Sequence, residues 1–459
     1  MTNRTIFALA TAPAKSGVAV IRISGDSAAQ ALSLLTGINS PIPRHFYRSV
    51  IRHPSSAEAI DNGLAVYFQA PHSFTGEDVV ELHLHGSIAG IREVSEVLSG
   101  LDGMHMAEPG EFTRRAFING KMDLLEAEGL ADLINADTNA QKTQAMRQMQ
   151  GEMSVFYDEI RGKTINCLAL LEAYIDFPDE EIPESVLIKW REAIISLQNS
   201  INNALADSKR GERLRDGLSI VILGAPNAGK SSLLNTLAGR DAAIVSHHAG
   251  TTRDVIEVHM DIAGYPVILM DTAGLREAGD EIEEEGIRRA KARAGQADIK
   301  LALFDASELP DMDKNTRELM DETTIVIISK VDIANGSSLR GGVADVAIQT
   351  GLLRFARNDN SPIFLSTKTG QGIDNLLSSI EEKVKGFFTA GNAPFITRNR
   401  HRLLLLEAEM LLKAALIPKP LELSCEELRR AALAIGKITG KIQVDDVLDV
   451  IFKEFCIGK

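Results

Sequence analysis

The run Gly224-Ala225-Pro226-Asn227-Ala228-Gly229-Lys230-Ser231-Ser232 has the residue types and spacing to cradle a polyphosphate. Its glycines let the backbone curl so that successive N–H groups point inward. Lys230 would carry an ammonium to the terminal phosphates, and the Ser231 hydroxyl would ligate Mg²⁺. Asn227, Ala228, Gly229, Lys230, Ser231 and Ser232 are the nucleotide contacts expected of this loop. The elements that must hold it are legible on both sides. Apolar residues 220–223 read as a buried parallel strand, and Leu233, Leu234 and Leu237 follow at helical spacing. Strand, glycine loop and helix N-terminus, in that order, make an anion site.

Further stretches belong to the same chemistry. Asp271-Thr272-Ala273-Gly274 follows the apolar strand 267–270. A carboxylate at that strand end can hold Mg²⁺ through water, and a glycine N–H beyond it can meet a γ-phosphate. Between the two lies Gly250-Thr251-Thr252-Arg253-Asp254, where Thr252 would complete the Mg²⁺ shell only while the γ-phosphate is present, as a switch. Strand 324–328 ends in Ser329-Lys330-Val331-Asp332. The Asp332 carboxylate can accept both N1–H and N2–H of guanine, a donor pair that adenine lacks. Ser366-Thr367-Lys368, after strand 363–365, stands ready to back up the base. The usual base motif is Asn-Lys-x-Asp; Ser329 replaces its Asn, which bears on affinity more than on base identity. Leu275 occupies the position where Ras-like enzymes carry the glutamine that orients the attacking water. Hydrolysis would need another water-positioning group and another positive charge. The acidic run 280–285 lies within range, although it also suits a solvated first helical turn.

The whole chain has 459 residues, 44% of them hydrophobic, enough for two or three cores. No apolar run of membrane length and no signal segment is expected, and three scattered cysteines fit a reducing cytoplasm. A net charge of −14 argues against a nucleic-acid footprint over the whole surface. RNA contact would be local or carried by a partner. Two basic clusters, Lys209-Arg210-Arg213-Arg215 and Arg398-Arg400-His401-Arg402, read first as solvated faces or linkers.

Residues 1–121 read as α/β, with strands over 6–10, 18–23, 64–68 and 79–84 and helices near 28–35 and 91–98. His83 and His85 share one strand face and read as polar strand residues rather than a metal pair. Residues 122–216 are helical, 217–384 form the nucleotide module, and 385–459 are helical again. Within the module, 335–360 is a long Gly/Ser-rich loop. Leu403, Leu406, Met410 and Ala414 form one stripe, Leu428, Ala432 and Ile435 another, and Val447, Val450, Ile451 and Phe455 a third, all read as core packing. Helices on both sides of a complete module suggest a module inserted in a helical domain.

Taken together, the phosphate loop, Ala249-Gly250-Thr251-Thr252-Arg253-Asp254, Asp271-Thr272-Ala273-Gly274-Leu275-Arg276-Glu277 and the terminal Cys456-Ile457-Gly458-Lys459 resemble the MnmE (TrmE) family of tRNA-modification GTPases. So do Ser73-Phe74-Thr75-Gly76-Glu77-Asp78, the Pro109-Gly110-Glu111-Phe112 stretch, and Ile175-Asp176-Phe177-Pro178. The resemblance spans essentially the whole chain. It implies an α/β P-loop GTPase domain inserted in a helical domain, preceded by an α/β N-terminal folate-binding domain that also makes a homodimer. It implies a flavoprotein partner, MnmG, in a heterotetramer that modifies position 5 of the wobble uridine of tRNA with a carboxymethylaminomethyl-type group. The one-carbon unit would come from a 5-formyl or 5,10-methylene tetrahydrofolate. It implies K⁺ held by Asn227, Ser246, His248 and Thr251, standing where an arginine finger would, and Glu283 as the catalytic glutamate beside Lys230. Folate contacts would fall on Arg22, Glu81, Lys121 and Lys459, with Cys456 a possible nucleophile. The alternative is a GTP switch in ribosome assembly, or on an RNA-bound partner, without one-carbon chemistry.

Overall fold

The computed structural model describes residues 4–176, 185–240, 243–244, 257–271, 291–309, 312–333, 362–388 and 396–442, and in the tail 448, 451–452, 455 and 458. The chain divides into two units, residues 1–134, 146–198 and 404–459, and residues 135–145 and 199–403.

The first unit opens with a six-stranded sheet ordered β3-β4-β5-β2-β1-β6. Its strands are β1 (Thr5–Leu9), β2 (Ser16–Ser24), β3 (Phe46–Arg52), β4 (Ala59–Phe68), β5 (Val79–Gly86) and β6 (Met104–Met106). Alternation decides which face is covered. Phe7, Ile21, Ile23, Ala65, Tyr67, Val80 and Leu82 point to one side and pack on helices α1 (Ala28–Thr36) and α2 (Ile88–Ser99). The other side carries the intervening residues, Arg22 and Glu81 among them. Edge strand β3 was not anticipated, because Arg48, Ser49 and Arg52 break its apolar alternation.

The helical part of this unit joins chain segments far apart in sequence. Helix α4 (Leu124–Ile134) sets Leu124, Ala127 and Ala131 against Leu448, Ile451, Phe452 and Phe455. Helix α6 (Glu152–Asp176) packs along the late helix Leu421–Thr439, with Glu172–Arg429 at 2.8 Å and Asp158–Lys441 at 2.7 Å on the rim. The stripe Leu428, Ala432 and Ile435 is buried, as expected. The stripe expected in the helix Asn399–Ala415 is not. Leu403, Leu406 and Met410 are 55%, 43% and 61% exposed, and the buried side is His401, Leu405, Ala408, Leu412 and Ala415. Four consecutive leucines, 403–406, leave the phase of that helix undetermined by pattern alone.

The second unit holds a seven-stranded sheet, β13-β12-β11-β7-β10-β9-β8. Strands β7 (Leu218–Gly224), β10 (Tyr265–Asp271), β11 (Ile299–Asp305), β12 (Thr324–Ser329) and β13 (Ile363–Phe364) run parallel; β9 (Glu257–Ile262) runs antiparallel to β10 and to β8 (Ala243–Ile244). Continuous apolar strands follow from covering both faces. Leu218, Ile220 and Ile222 pack in one core, while Val221 and Leu223 pack with Ala294 in another. The chain leaves β7 toward β10 and returns to β11 on its other side, so the end of β7 is a topological switch point, where α/β sheets bind ligands. In the chain, this P-loop module lies between helical segments, as expected of an inserted domain. Among the described residues, no helix is long and apolar enough to cross a membrane.

Candidate functional site

The phosphate loop connects β7 to the helix Lys230–Ala238. Gly224 cannot carry a side chain, because its Cβ would stand 2.8 Å from the Leu303 carbonyl oxygen. Asn227 (φ 66°) and Gly229 (φ 100°) both take left-handed backbone, which turns the loop inward. Lys230 is buried, and its Nζ donates to the carbonyls of Gly224 and Ala225, each at 2.8 Å. Burial draws its pKa below the ordinary lysine value, and the charges of Asp271 and Asp313 work against that. An anion in the loop would relieve the same desolvation. Parallel pairing brings the end of β10 beside β7, so the Ser231 hydroxyl donates to Asp271 Oδ2 at 2.8 Å. Two hard oxygens, from a hydroxyl and a carboxylate, are thereby brought together in a donor set that suits Mg²⁺.

At the ends of β11, β12 and β13 the base-side residues converge. Ser329 is buried, and its hydroxyl donates to the Ala228 carbonyl of the phosphate loop at 2.8 Å. Lys330 adopts φ 59°, uncommon for a side chain with a Cβ, and its Nζ donates to Asp305 Oδ2 at 2.7 Å. Burial alone would raise the Asp305 pKa, but hydrogen bonds from Lys330 and Ser307 outweigh it and hold the carboxyl below its ordinary value. The Val331 N–H donates to the Leu365 carbonyl, and the Leu365 N–H to the Ile328 carbonyl, so the two loops are laced together. Asp332 and Lys368 are exposed, Thr367 is half-buried and Ser366 is buried, its hydroxyl accepting from the Thr369 N–H.

In the first unit a cross-strand row runs Phe46, Val66, Glu81, Arg22, Ala8. Arg22 donates from Nε to Glu81 Oε1 at 2.9 Å, and its guanidinium lies over the rings of Phe74 and Phe112 at 5.5 and 5.9 Å. Beside the row opens a cavity of about 570 Å³ lined by Arg44, Phe46, Val66, Phe68, His72, Ser73, Phe74 and Lys121. Lys121 Nζ donates to the Pro71 carbonyl. The Ser73–Asp78 loop on its rim is braced: Glu77 accepts from Arg115 at 3.0 Å and from Ser24 at 2.7 Å, and Asn119 holds the Thr75 carbonyl. Gly458, with φ 97°, packs so closely on the Leu9 carbonyl that no Cβ would fit. Leu9 pairs with Ile21, next to Arg22, so this tail residue reaches the end of β1, the strand beside Arg22.

A family model described as the MnmE helical domain matches residues 124–456, and one described as the GTP-binding protein TrmE N-terminus matches residues 5–121. The tRNA modification GTPase MnmE of Paramagnetospirillum magneticum is 47% identical over 457 residues, covering 100% of each chain. The chain belongs to the MnmE family. The MnmE of Parvibaculum lavamentivorans is 48% identical over 99% of this chain and 100% of its own length. Among solved structures, a tyrosine-to-alanine variant of Aquifex aeolicus Era bound to GDP and AlF4⁻ aligns with 44% of this chain and 67% of its own, at 24% identity and a TM-score of 0.29.

Within this MnmE-family chain, Asn227, Ala228, Gly229, Lys230, Ser231, Ser232 and Asp271 meet at one strand end, and Ser329, Lys330, Asp332, Ser366, Thr367 and Lys368 lie on two joined loops. Arg22 and Glu81 pair directly, and Lys121 lines the adjoining cavity. Ser246, His248, Thr251, Thr252, Thr272, Ala273, Gly274, Glu283, Cys456 and Lys459 lie outside the described residues, as does the long loop after Asn335. Asp305 was missed; its signal is a carboxylate closing the apolar run Leu301–Phe304 of β11. The basic clusters are framework: Arg213 pairs with Asp298 at 2.7 Å and stacks over Phe387, Arg210 pairs with Asp207, and Arg402 with Glu212. His85 is held by Asp61 at 2.8 Å, and His83 lies 3.5 Å from Glu81. No cluster of three metal-ligating side chains occurs among the described residues.

Proposed function

We propose that this chain hydrolyses GTP and, with an MnmG-type flavoprotein, adds a carboxymethylaminomethyl-type group at position 5 of the tRNA wobble uridine. The observation that carries this reading is the presence in one MnmE-family chain of the Ser231–Asp271 pair under the phosphate loop and of the Arg22–Glu81 row beside an aromatic-walled cavity. A bare GTP switch needs only the first.

At the phosphate loop, Lys230 would exchange its two carbonyl acceptors for the β- and γ-phosphates, while Ser231 and Thr252, with Asp271 through water, would hold Mg²⁺. When bound, Mg²⁺ and K⁺ would supply positive charge to the phosphate oxygens. Asn227, already turned into the loop by its left-handed backbone, offers an amide oxygen toward K⁺, with Ser246, His248 and Thr251. Glu283 orients water in place of the missing glutamine. In the N-terminal domain, Phe46, Phe68 and Phe74 offer flat apolar walls for a folate ring system. Glu81 accepts ring N–H groups, while Arg22, Lys121 and Lys459 suit an anionic glutamyl tail. When bound, a folate would supply the one-carbon unit, and Cys456 is a candidate nucleophile. Homodimerisation through the N-terminal domain would complete the assembly.

Hydrolysis rates in matched K⁺ and Na⁺ salts test the nucleotide half. Turnover is expected to rise in K⁺ and not in Na⁺, because a fixed cage of oxygens selects ion size. Asn227→Ala is expected to erase the K⁺ response while Mg²⁺–GTP still binds. Equal rates in both salts with the intact chain would remove the cation from the mechanism.

A further inference from the structure

Ser329 stands where a base-reading loop meets the phosphate loop, and its hydrogen-bonding capacity can be counted. It is 3% exposed. A serine hydroxyl carries one hydrogen. That hydrogen faces two main-chain acceptors, the Ala228 carbonyl at 2.8 Å and the Phe304 carbonyl at 3.2 Å. Its own carbonyl is taken as well, by the Ala306 N–H at 3.0 Å. The neighbouring cation, Lys330, is directed at Asp305. Guanine presents N7 as an acceptor on the edge adjoining the one that Asp332 would read. An asparagine amide has two N–H donors, one for the loop carbonyl and one to spare; serine has none to spare.

We propose that Ser329 is a positioning residue that ties the base loop to the phosphate loop and leaves purine N7 without a donor from this position. The chain then reads guanine through Asp332 on the Watson–Crick edge and is indifferent to N7. This rests on the proposed reading of the chain as a GTP hydrolase, with residues 329–332 expected at the base.

The probe is 7-deaza-GTP, in which N7 is replaced by C–H. The intact chain is expected to bind GTP and 7-deaza-GTP with nearly equal affinity. Ser329→Asn supplies a second donor and is expected to favour GTP over 7-deaza-GTP by about 2- to 12-fold, the range for one neutral hydrogen bond. Ser329→Ala is expected to weaken both nucleotides equally, since only the tie between loops is lost. A merely structural residue would leave the ratio unmoved in every variant. Strong preference of the intact chain for GTP over 7-deaza-GTP, or a ratio unchanged in Ser329→Asn, overturns the proposal. Asp332→Asn provides the separate control. It should shift preference from GTP toward XTP by about 5- to 150-fold, as expected for a mismatched buried contact. Failure of that shift overturns the base-site assignment itself. A normal shift with strong N7 discrimination overturns only the role given to Ser329.

Discussion

Deleting residues 456–459 is expected to abolish wobble-uridine modification while potassium-stimulated GTP hydrolysis stays nearly unchanged. A terminal tetrapeptide is ordinarily the safest part of a chain to lose. Here Phe455 is buried among Ile451, Phe452 and the α4 core, and Gly458 lies against the end of β1. The first contact anchors the tail on the helical core, and the second brings it to the sheet that carries Arg22. Lys459 would add an ammonium to the proposed folate site, whose cavity already has Lys121 on its wall. Arg22→Ala should reproduce the effect by a separate route. It removes the charge over Phe74 and leaves Glu81 without its arginine partner. Loss of charge-assisted contacts of this kind costs about 1.5–3 kcal/mol, or roughly 10- to 150-fold in folate affinity. Normal modification by the truncated chain would detach the tail from the folate site and return weight to the switch reading.

Glu283→Ala is expected to lower kcat for GTP by about 10²- to 10⁴-fold, the usual contribution of a group that handles the attacking water's proton. Nucleotide affinity should hardly change if the glutamate acts, as proposed, in the transition state rather than on the bound ground state. The need for such a group follows from Leu275, whose side chain offers no hydrogen bond to water. Single-turnover hydrolysis with nucleotide affinity measured in parallel separates the two quantities. An unchanged kcat, or a loss confined to binding, would mean that another residue orients the water.

The phosphate loop was legible in the sequence because its geometry is local. Glycines, a lysine and a serine at fixed spacing dictate the turn almost alone, and a flanking apolar run supplies the strand. What Ser329 does was not legible, since its acceptor Ala228 is 101 residues away in the chain. The sequence marked the residue as a departure from Asn-Lys-x-Asp, but only the pairing of β11 with β7 and β12 brings it to the phosphate loop. Asp305 stayed unread for the same reason, because its meaning lies in Lys330 across the sheet. The core stripes show the limit of periodicity. Leu428, Ala432 and Ile435 stand among residues that make their phase unambiguous, whereas Leu403–Leu406 permit several phases and the wrong one was chosen. The pairing of helices from either side of the inserted module was inferable because a half-domain cannot bury its apolar faces alone.

The central claim is that nucleotide hydrolysis and folate chemistry in this one chain serve tRNA modification. Nucleoside composition of total tRNA from a strain lacking the gene tests it most directly. The account predicts loss of the position-5 carboxymethylaminomethyl-type wobble uridines, restored by the intact chain but not by Arg22→Ala or Glu283→Ala. An unchanged nucleoside profile in the deletion strain would contradict it.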